Sequence, residues 1–233
     1  DDKVEKPSKI KKRNWINYID WPWENIKTLV VSPGIPINNK EKHNAIKLAL
    51  DNKVQIINEI DLFVKTNPKA KIIGVTGTNG KSTTAALLFH ILKFNKIKCV
   101  ICGNFGIPAC SIDDPGENGV IILELSSYQL DGAKTLTLDI ATIINITPDH
   151  LNYHENFDRY VSCKLKILDL LKKNGIFIFD KNNNFLNEII NTKTYNSVKL
   201  MRIKKNEAKD FINDNNYLKG THNAINASIA ISI

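Results

Sequence analysis

The run Lys71-Ile-Ile-Gly-Val-Thr-Gly77-Thr78-Asn79-Gly80-Lys81-Ser82-Thr83 decides the fold of this chain. Its first six residues form an apolar run that predicts a buried β-strand, and residues 82–94 have the apolar spacing of a helix. Backbone N–H groups of a glycine-rich loop, with a helix N-terminus behind them, bind phosphates. The order of strand, loop and helix therefore predicts a phosphate-binding loop at the carboxyl end of a strand.

Two residues of this loop have separate expected tasks. Lys81 is predicted to reach the β- and γ-phosphates of a nucleotide, and Ser82 is predicted to bind Mg²⁺. The strict G-x-x-x-x-G-K-[ST] spacing requires glycine at position 75, where this chain has Val75. The alternative is a glycine-rich turn that merely precedes a helix, but the order of strand, loop, Gly-Lys-Ser and helix favours phosphate binding.

On both sides of the loop, predicted strands alternate with predicted helices. Apolar runs predict further strands at 97–102, 120–125, 140–146 and 176–179, and helical spacing predicts a helix at 157–172. A smaller unit before the loop has predicted strands at 26–31 and 54–57 and a helix at 44–52. The strands lack polar alternation, which is typical of a parallel sheet buried on both faces.

The predicted fold class is therefore α/β, in two domains. Residues 1–67 are expected to form a partial Rossmann-like domain, and residues 68–233 a P-loop-type ATPase domain with a mostly parallel sheet. Residues 66–69 include asparagine and proline, which interrupt helices and strands, and they mark the boundary. Residues 182–216 have no clear helix or strand pattern. The chain opens without a first strand and closes inside an apolar helical pattern, so we expect a fragment of a longer protein.

Composition limits the class of protein. Hydrophobic residues make up 42% and charged residues 24% of the 233 residues, as in globular domains. No apolar run is long enough to cross a bilayer, and the first residues resemble no targeting peptide, so we expect a cytoplasmic protein. The net charge of +8 comes from scattered lysines. A basic cluster at 9–13, followed by aromatic residues, is typical of a nucleic-acid surface or of a solvated loop, and we favour the loop.

Cys99 and Cys102 form a C-x-x-C pair within a predicted strand. Residues three apart on a strand point to opposite faces, so these thiols cannot readily share a metal ion. A structural role is favoured over zinc or redox chemistry, and free thiols are expected in a reducing compartment.

Three side chains outside the loop are candidates for chemistry. Glu124 ends a predicted strand, where open α/β sheets bind their ligands, and a carboxylate there suits a hard cation; the alternative is a solvated strand end. His150 also follows a strand, and such a histidine alone is more often structural. Lys164 lies on the apolar face of the helix at 157–172, where a lysine either extends its ammonium to the surface or has a function.

The set of motifs resembles the Mur ligase family. Thr-Gly-Thr-Asn-Gly-Lys-Ser, with Gly77 rather than a glycine at 75, is similar to the loop of Mur ligases and of folylpolyglutamate synthases. Further runs occur in the family's order: Ser32-Pro33-Gly34-Ile35, Gly103-Asn104-Phe105-Gly106, Glu124-Leu-Ser126-Ser127-Tyr-Gln129-Leu, Asn145-Ile-Thr-Pro-Asp149-His150-Leu and Gly220-Thr-His222-Asn223-Ala-Ile-Asn226-Ala. The first and third runs look like those of the member that adds D-glutamate to UDP-N-acetylmuramoyl-L-alanine.

The resemblance implies an ATP-dependent, ADP-forming ligase of peptidoglycan precursor synthesis that uses Mg²⁺. ATP would phosphorylate the carboxylate of UDP-N-acetylmuramoyl-L-alanine to an acyl phosphate, which the amine of D-glutamate then attacks. The family's third domain binds D-glutamate, so this fragment alone is expected to be inactive. The alternatives are another Mur-type or folylpolyglutamate-type ligase, or a non-catalytic module that binds nucleotide or nucleic acid. We expect a monomer without nucleic-acid or membrane partners.

The resemblance also implies a role for each matching residue. ATP contacts are expected at Gly77, Thr78, Asn79, Gly80, Lys81, Ser82, Thr83, Asn223 and Asn226. Contacts to the muramoyl substrate are expected at Ser32, Pro33, Gly34, Asn104, Ser126 and Gln129, with Asp1, Asp2 and Lys3 near the uracil. The expected catalytic residues are Lys81, Glu124, His150 and Lys164. Mg²⁺ is expected at Ser82 and Glu124, and a second ion at His150 and at Lys164, whose amine is carbamylated by CO₂ and becomes an anionic ligand.

Overall fold

The computed structural model describes residues 16–39, 41–192, 197–204, 208 and 218–233. The basic cluster at 9–13 and the expected uracil contacts Asp1, Asp2 and Lys3 lie outside these described residues. The smaller unit contains strand β1 (Thr28–Val31), helix α1 (Asn44–Asp51) and strand β2 (Gln55–Asn58). The two strands pair in parallel, and α1 packs Ile46 and Ala49 against β1.

The larger unit is built on a sheet of six described strands: β3 (Lys71–Thr76), β4 (Cys99–Gly103), β5 (Val120–Glu124), β6 (Leu138–Ile143), β7 (Leu171–Asp180) and β8 (Lys199–Ile203). Their order in the sheet is β4-β5-β3-β6-β7-β8, and every neighbouring pair is parallel. The remaining described helices are α2 (Glu59–Val64), α3 (Lys81–Phe94), α4 (Ser127–Gly132), α5 (Leu151–His154), α6 (Phe157–Asp169), α7 (Asn184–Thr192) and α8 (Thr221–Ser232).

Helices cover both faces of this sheet, which explains its apolar strands. In β3, Ile72 packs in a cluster with residues of α2, α4, α6 and α7, whereas Ile73 packs with residues of α3 and α8. Because successive side chains of a strand point to opposite faces, both sets of positions are buried and polar alternation is absent.

The connections place a crevice at the carboxyl ends of β3, β5 and β6. From β3 the chain runs through α3 to β4 at one edge, whereas from β5 it runs through α4 to β6 on the other side of β3. Such a reversal of direction opens a crevice beyond the strand ends, where α/β sheets bind ligands. The phosphate loop at 77–80, Glu124 and Asn145 all lie at these ends.

The predicted α/β class is confirmed, and β3 has the predicted bounds. The predicted helix at 157–172 ends at Asp169, because β7 begins at Leu171 instead of at 176. Lys172, Lys173 and Asn174, in the first part of β7, are polar and exposed, so they lack the apolar pattern of a buried strand. The predicted strands at 97–102 and 140–146 are β4 and β6, which are displaced by a few residues.

The structure also supplies elements that the pattern did not predict. Helices α2, α4 and α5 have four to six residues, too few to show a helical period. Residues 182–216, which had no legible pattern, include α7 and β8. Cys99 and Cys102 lie in β4 on opposite faces: the Cys99 thiol donates to the carbonyl of Phe89 in α3, whereas Cys102 packs in the other layer. No described helix is long and apolar enough to cross a membrane.

Candidate active site

Gly80 closes the loop between β3 and α3, with a φ of 87° in the left-handed region. It is the N-cap residue of α3, and no side chain caps the first turn of that helix. The backbone conformation favours glycine, and a Cβ atom at Gly80 would lie 2.5 Å from Oδ1 of Asn226 in α8, whose side chain would have to move. The uncapped N–H groups at the start of α3 favour an anion.

Asn145, which follows β6, holds this loop, although the sequence did not identify it as a site residue. Its Oδ1 accepts hydrogen bonds from the N–H groups of Thr78 (3.1 Å) and Asn79 (2.9 Å), and its Nδ2 donates to the carbonyl oxygen of Asn79 (2.9 Å). Thr78 Oγ1 also lies 2.9 Å from the hydroxyl of Tyr160 in α6. The loop is therefore fixed to two elements beyond its own strand and helix.

Lys81 and Lys164 meet at one carbonyl oxygen, that of Gly77. Lys81 Nζ donates to the carbonyl oxygens of Gly77 (3.0 Å) and Thr78 (2.9 Å), and Lys164 Nζ donates to that of Gly77 (2.8 Å). Lys164 is 2% exposed, and its Nζ lies 4.8 Å from the ring centroid of Tyr160. The alternative of an ammonium extended to the surface is therefore wrong for Lys164.

Burial lowers the pKa of both lysines. For Lys164, desolvation and then the nearby charge of Lys81 lower the pKa to about 7, from an ordinary value of 10.5. For Lys81, desolvation lowers the pKa, while the carboxylates of Glu124 and Asp149 oppose that shift. A substantial fraction of Lys164 is therefore a neutral, nucleophilic amine near neutral pH.

Glu124 ends β5 and is 1% exposed, so a solvated strand end is excluded. Its Oε1 accepts a hydrogen bond from Asn104 Nδ2 at 3.0 Å, and its backbone oxygen accepts one from the Asn104 N–H at 2.9 Å. Its Oε2 is buried and has no hydrogen-bond partner among the described residues. A buried carboxylate oxygen in this state is costly unless a cation or a ligand donor meets it.

The donor set fits a divalent cation in part. The carboxylate of Glu124 and the hydroxyl of Ser82, which is half-buried in the first turn of α3, are oxygen ligands that Mg²⁺ accepts. Lys164 as an ammonium would repel such an ion, whereas a carbamate on the same nitrogen would offer anionic oxygens. In the part of the chain that the structure describes, no group of three His, Cys, Asp or Glu side chains could hold a metal ion by itself.

His150 lies near the surface beside the turn that carries Gly34. Its Nε2 lies 3.4 Å from Asp149 Oδ2, and its ring centroid lies 5.0 Å from that of Tyr128. An open pocket of about 490 Å³ is lined by Gly34, Pro36, Tyr128, His150, Asn152 and Tyr153. The pocket therefore joins the turn at 32–34, where Ser32 is exposed and Pro33 half-buried, to the expected catalytic histidine.

Ser126 and Gln129 form a capping box at the start of α4. Ser126 Oγ accepts a hydrogen bond from the Gln129 N–H, and Gln129 Oε1 accepts one from the Ser126 N–H. The Gln129 side-chain amide also donates to the Glu59 carboxylate, and Gln129 is 2% exposed. These contacts give Gln129 a structural task, and its expected contact with substrate stays a prediction.

His154 is fully buried. It is the second residue at this site that the sequence did not identify. Its Nε2 lies 2.9 Å from Ser127 Oγ, and its ring stacks on Tyr128 at 5.7 Å between centroids. Burial lowers its pKa to about 4, so the ring is neutral at neutral pH. Because α5 has only four residues, no periodic signal marked His154 as buried.

Helix α8 brings the two expected ATP-contacting asparagines to the loop. Asn226 is 3% exposed and packs against Gly80, and its Nδ2 donates to Asn223 Oδ1 at 3.2 Å. Residues 77–83, Glu124, Asn104, Lys164, Asn223 and Asn226 are therefore gathered around the carboxyl end of β3, while Gly34 and His150 line the neighbouring pocket.

Comparison with known proteins places this architecture. Residues 75–233 match the Mur ligase middle domain family. The chain belongs to the Mur ligase family. That match includes the loop at 77–83, Glu124, Lys164 and both asparagines of α8, so the family resemblance found in the motifs is confirmed.

The most informative relatives are ligases named for D-glutamate. The chain is 35% identical over 242 residues to the UDP-N-acetylmuramoylalanine–D-glutamate ligase of Rickettsia bellii (strain RML369-C), a match that covers 93% of this chain and 52% of that protein. It is 37% identical over 215 residues to the ligase of the same name from Zymomonas mobilis subsp. mobilis (strain ATCC 31821 / ZM4 / CP4), covering 89% and 48%. The chain thus spans about half the length of the curated relatives it matches.

Solved structures show the same fold. The UDP-N-acetylmuramate:L-alanyl-gamma-D-glutamyl-meso-diaminopimelate ligase of Neisseria meningitides matches with a TM-score of 0.60 at 16% identity, over 88% of this chain and 72% of that one. The MurF ligase of Thermotoga maritima, solved in complex with ADP, matches with a TM-score of 0.50 at 21% identity, over 78% and 51%.

Proposed function

We propose that this chain is the ATP-binding part of a ligase that adds D-glutamate to UDP-N-acetylmuramoyl-L-alanine in peptidoglycan precursor synthesis. The observation that carries the proposal is the convergence of two lysines and a buried carboxylate on one phosphate loop, in a chain of this family. Relatives named for the D-glutamate reaction support the choice of substrates. The protein acts as a monomer in the cytoplasm.

The loop binds the triphosphate of ATP. The N–H groups of Lys81, Ser82 and Thr83 at the start of α3 have no side-chain cap and bind phosphate oxygens. The Lys81 ammonium leaves the loop carbonyls to meet the transferring phosphoryl group. The substrate carboxylate takes that phosphoryl group and becomes an acyl phosphate. The amine of D-glutamate then forms the amide bond and phosphate leaves. The protein contributes mainly position and charge, as in other phosphoryl transfers.

Glu124 and Ser82 would hold Mg²⁺, which would neutralise phosphate charge there. The unpartnered Oε2 of Glu124 supports this assignment. The neutral amine of Lys164 adds to CO₂ and releases one proton, which gives a carbamate. The carbamate oxygens, with His150, would hold a second ion. The burial that lowers the pKa of Lys164 supports that reaction.

The substrate side of the site is the pocket beside the turn at 32–34. Ser32, Pro33 and Gly34 contact this substrate, while Asn104, Ser126 and Gln129 orient its muramoyl-alanine end. Asn223 and Asn226 contact the nucleoside of ATP. We assign residues 1–67 to the UDP-substrate domain and residues 68–233 to the ATP-binding domain.

A substrate panel with the full-length parent protein tests the proposal. Phosphate release is measured with ATP and pairs of acceptor and amino acid, and D-glutamate with UDP-N-acetylmuramoyl-L-alanine is expected to be the only productive pair. Activity with diaminopimelate, lysine or a folate would identify another ligase of the same fold. If no pair gives phosphate release although the protein binds ADP, the result would favour a non-catalytic nucleotide-binding module.

A further inference from the structure

The side-chain amide of Asn145 both accepts hydrogen bonds from the backbone of the phosphate loop and donates one to it. Its side-chain oxygen accepts from the Thr78 and Asn79 N–H groups, and its side-chain nitrogen donates to the Asn79 carbonyl. Its own backbone carbonyl accepts from the Thr78 N–H at 3.0 Å. One residue therefore binds both polar groups of Asn79 and the N–H of Thr78.

Only an asparagine of this orientation satisfies the loop. The two loop N–H groups need an acceptor and the loop carbonyl needs a donor, so the orientation of the side-chain amide follows from the network. Aspartate has the same shape but no donor for the Asn79 carbonyl. Alanine offers neither group and leaves loop N–H groups without their side-chain acceptor.

The contact decides which N–H groups can meet a phosphate. In a glycine-rich loop the N–H groups cradle the phosphates, but here those of Thr78 and Asn79 are turned to Asn145. The helix begins at Lys81 with no side-chain cap, so the N–H groups of its first turn remain open. Phosphate binding therefore shifts toward the helix by comparison with a loop that uses all of its N–H groups.

A second contact ties the same segment to α6. Thr78 Oγ1 donates to the Thr147 carbonyl oxygen (3.1 Å), accepts from the Thr147 N–H (3.0 Å), and lies 2.9 Å from the Tyr160 hydroxyl. Tyr160 lies one helical turn before Lys164 in α6. Thr78 thus connects the segment after β6 to the helix that carries Lys164.

We propose that Asn145 is a positioning residue of the nucleotide site: it holds Thr78 and Asn79 through their backbone, so that phosphate is bound only by the N–H groups from Gly80 onward. This inference rests on the proposed function for its ligand, but the holding of the loop is tested independently of any nucleotide.

The experiment compares Asn145→Ala and Asn145→Asp with the wild-type chain by amide hydrogen exchange and ADP titration, both followed by NMR. In Asn145→Ala, the Asn79 amide loses its acceptor and should exchange roughly tenfold faster, and the Thr78 amide, which keeps the backbone carbonyl of residue 145, should speed up less. The amides of β3 should keep their rates, because only the loop opens. ADP should bind roughly tenfold more weakly to the alanine variant and more weakly still to the aspartate variant, which adds a negative charge near the phosphates.

Asn95→Ala is the matched control. Asn95 bonds its side chain to the Ile91 carbonyl at the far end of α3, so its removal costs a similar local hydrogen bond away from the loop. This variant should leave ADP affinity and the exchange of Thr78 and Asn79 unchanged. In the wild type, ADP should shift the amide signals of Gly80–Thr83 strongly and those of Thr78 and Asn79 little.

Several results would overturn the assignment. Unchanged exchange at Thr78 and Asn79 in Asn145→Ala would show that the loop does not depend on this side chain. Faster exchange throughout the sheet would reduce Asn145 to a general stability role, and strong ADP shifts at Thr78 and Asn79 would refute the division of the loop. A wild-type chain that binds no ADP counts against the proposed function, and the exchange rates then still decide whether Asn145 holds the loop.

Discussion

The start of α3 and the inner face of α6 present the same chemical group to the same carbonyl oxygen, that of Gly77, in different surroundings. Lys81 is half-buried, has two carbonyl acceptors and lies near the carboxylates of Glu124 and Asp149, which favour its charge. Lys164 is almost fully buried and has one carbonyl acceptor, and the charge of Lys81 adds to the effect of desolvation.

The difference assigns the two lysines opposite chemistry. A lysine near carboxylates remains a cation, which suits a group that meets phosphate. A lysine in the interior loses its proton readily, which suits a group that reacts with CO₂. The surroundings of the two lysines, rather than their residue type, therefore determine their roles. Each of the following predictions tests one of these two environments.

The largest expected effect belongs to Lys81. Lys81→Ala in the full-length parent should lower the rate of phosphate release by roughly a thousandfold or more, since a positioned cation on a transferring phosphoryl group has effects of that order. The matched control is Lys93→Ala, which removes a lysine from the last turn of the same helix and should keep wild-type activity. A rate within a few-fold of wild type in Lys81→Ala would end the assignment of Lys81 to the phosphate.

The next effect is on stability, and it depends on pH through Lys164. The pKa of about 7 in the folded state lies below the ordinary value of 10.5, so the unfolded chain binds more protons between those values. The free energy of unfolding should therefore rise with pH across that window and fall as pH drops toward 7. In Lys164→Met this contribution should disappear, a difference on the order of 4 kcal/mol between the ends of the window.

Urea denaturation of the chain at several pH values measures that difference. Lysines common to both proteins titrate in both, so only the gap between the two curves is interpreted. Lys172→Met is a matched control, because Lys172 is exposed and bonds Asp139 at the surface, and its curve should run parallel to that of the wild type. Parallel curves for wild type and Lys164→Met would show that Lys164 keeps an ordinary pKa.

A smaller loss of activity is expected when Lys164 is removed from the full-length parent. Lys164→Ala should lower phosphate release on the order of a hundredfold, because an anionic ligand is lost while the phosphate loop remains. Acetate, added to the assay, should restore part of the rate by filling the vacated anion site. The control is Lys166→Ala, two positions further along α6, which should stay active and should not respond to acetate. A folded Lys164→Ala that is fully active, or inactive with every small carboxylate, would contradict the carbamate.

The sequence predicted most of this fold because its strands are apolar on both faces. Residues 71–76, for example, were predicted as a strand from this pattern, and β3 has the predicted bounds. The start of β7 did not, because exposed lysines there form a strand without burying side chains. Helices as short as α5 complete too little of a period to be recognised.

The candidate site was only partly predictable, for a related reason. Lys81, Glu124 and Lys164 are charged residues at strand ends or on an apolar face, so their type and place identified them. Asn145 and His154 act through hydrogen bonds to Thr78, Asn79 and Ser127, distant in sequence. A polar residue in a loop after a strand has many uses, and only the folded chain shows which backbone groups it meets.

The smallest expected effect concerns Glu124, which lies on the Lys81 side of the comparison. Glu124→Gln keeps one oxygen that can accept the hydrogen bond of Asn104, but it removes the charge and replaces the second oxygen, Oε2, with an NH₂ group that cannot bind a cation. We therefore expect a loss of about tenfold in phosphate release at a fixed Mg²⁺ concentration, largely recovered when Mg²⁺ is raised. Glu117→Gln, an exposed position before β5, is the control and should leave the Mg²⁺ titration unchanged.

The result separates two tasks of one carboxylate. If Glu124 binds the ion, the midpoint of the Mg²⁺ titration moves to higher concentration and the maximal rate is nearly kept. If Glu124 serves only to favour the charge of Lys81, the maximal rate falls, because the pKa of Lys81 drops further without the carboxylate. The midpoint of the Mg²⁺ titration then stays unchanged. An unchanged midpoint together with an unchanged rate would leave the buried Oε2 without either task and would contradict the magnesium assignment.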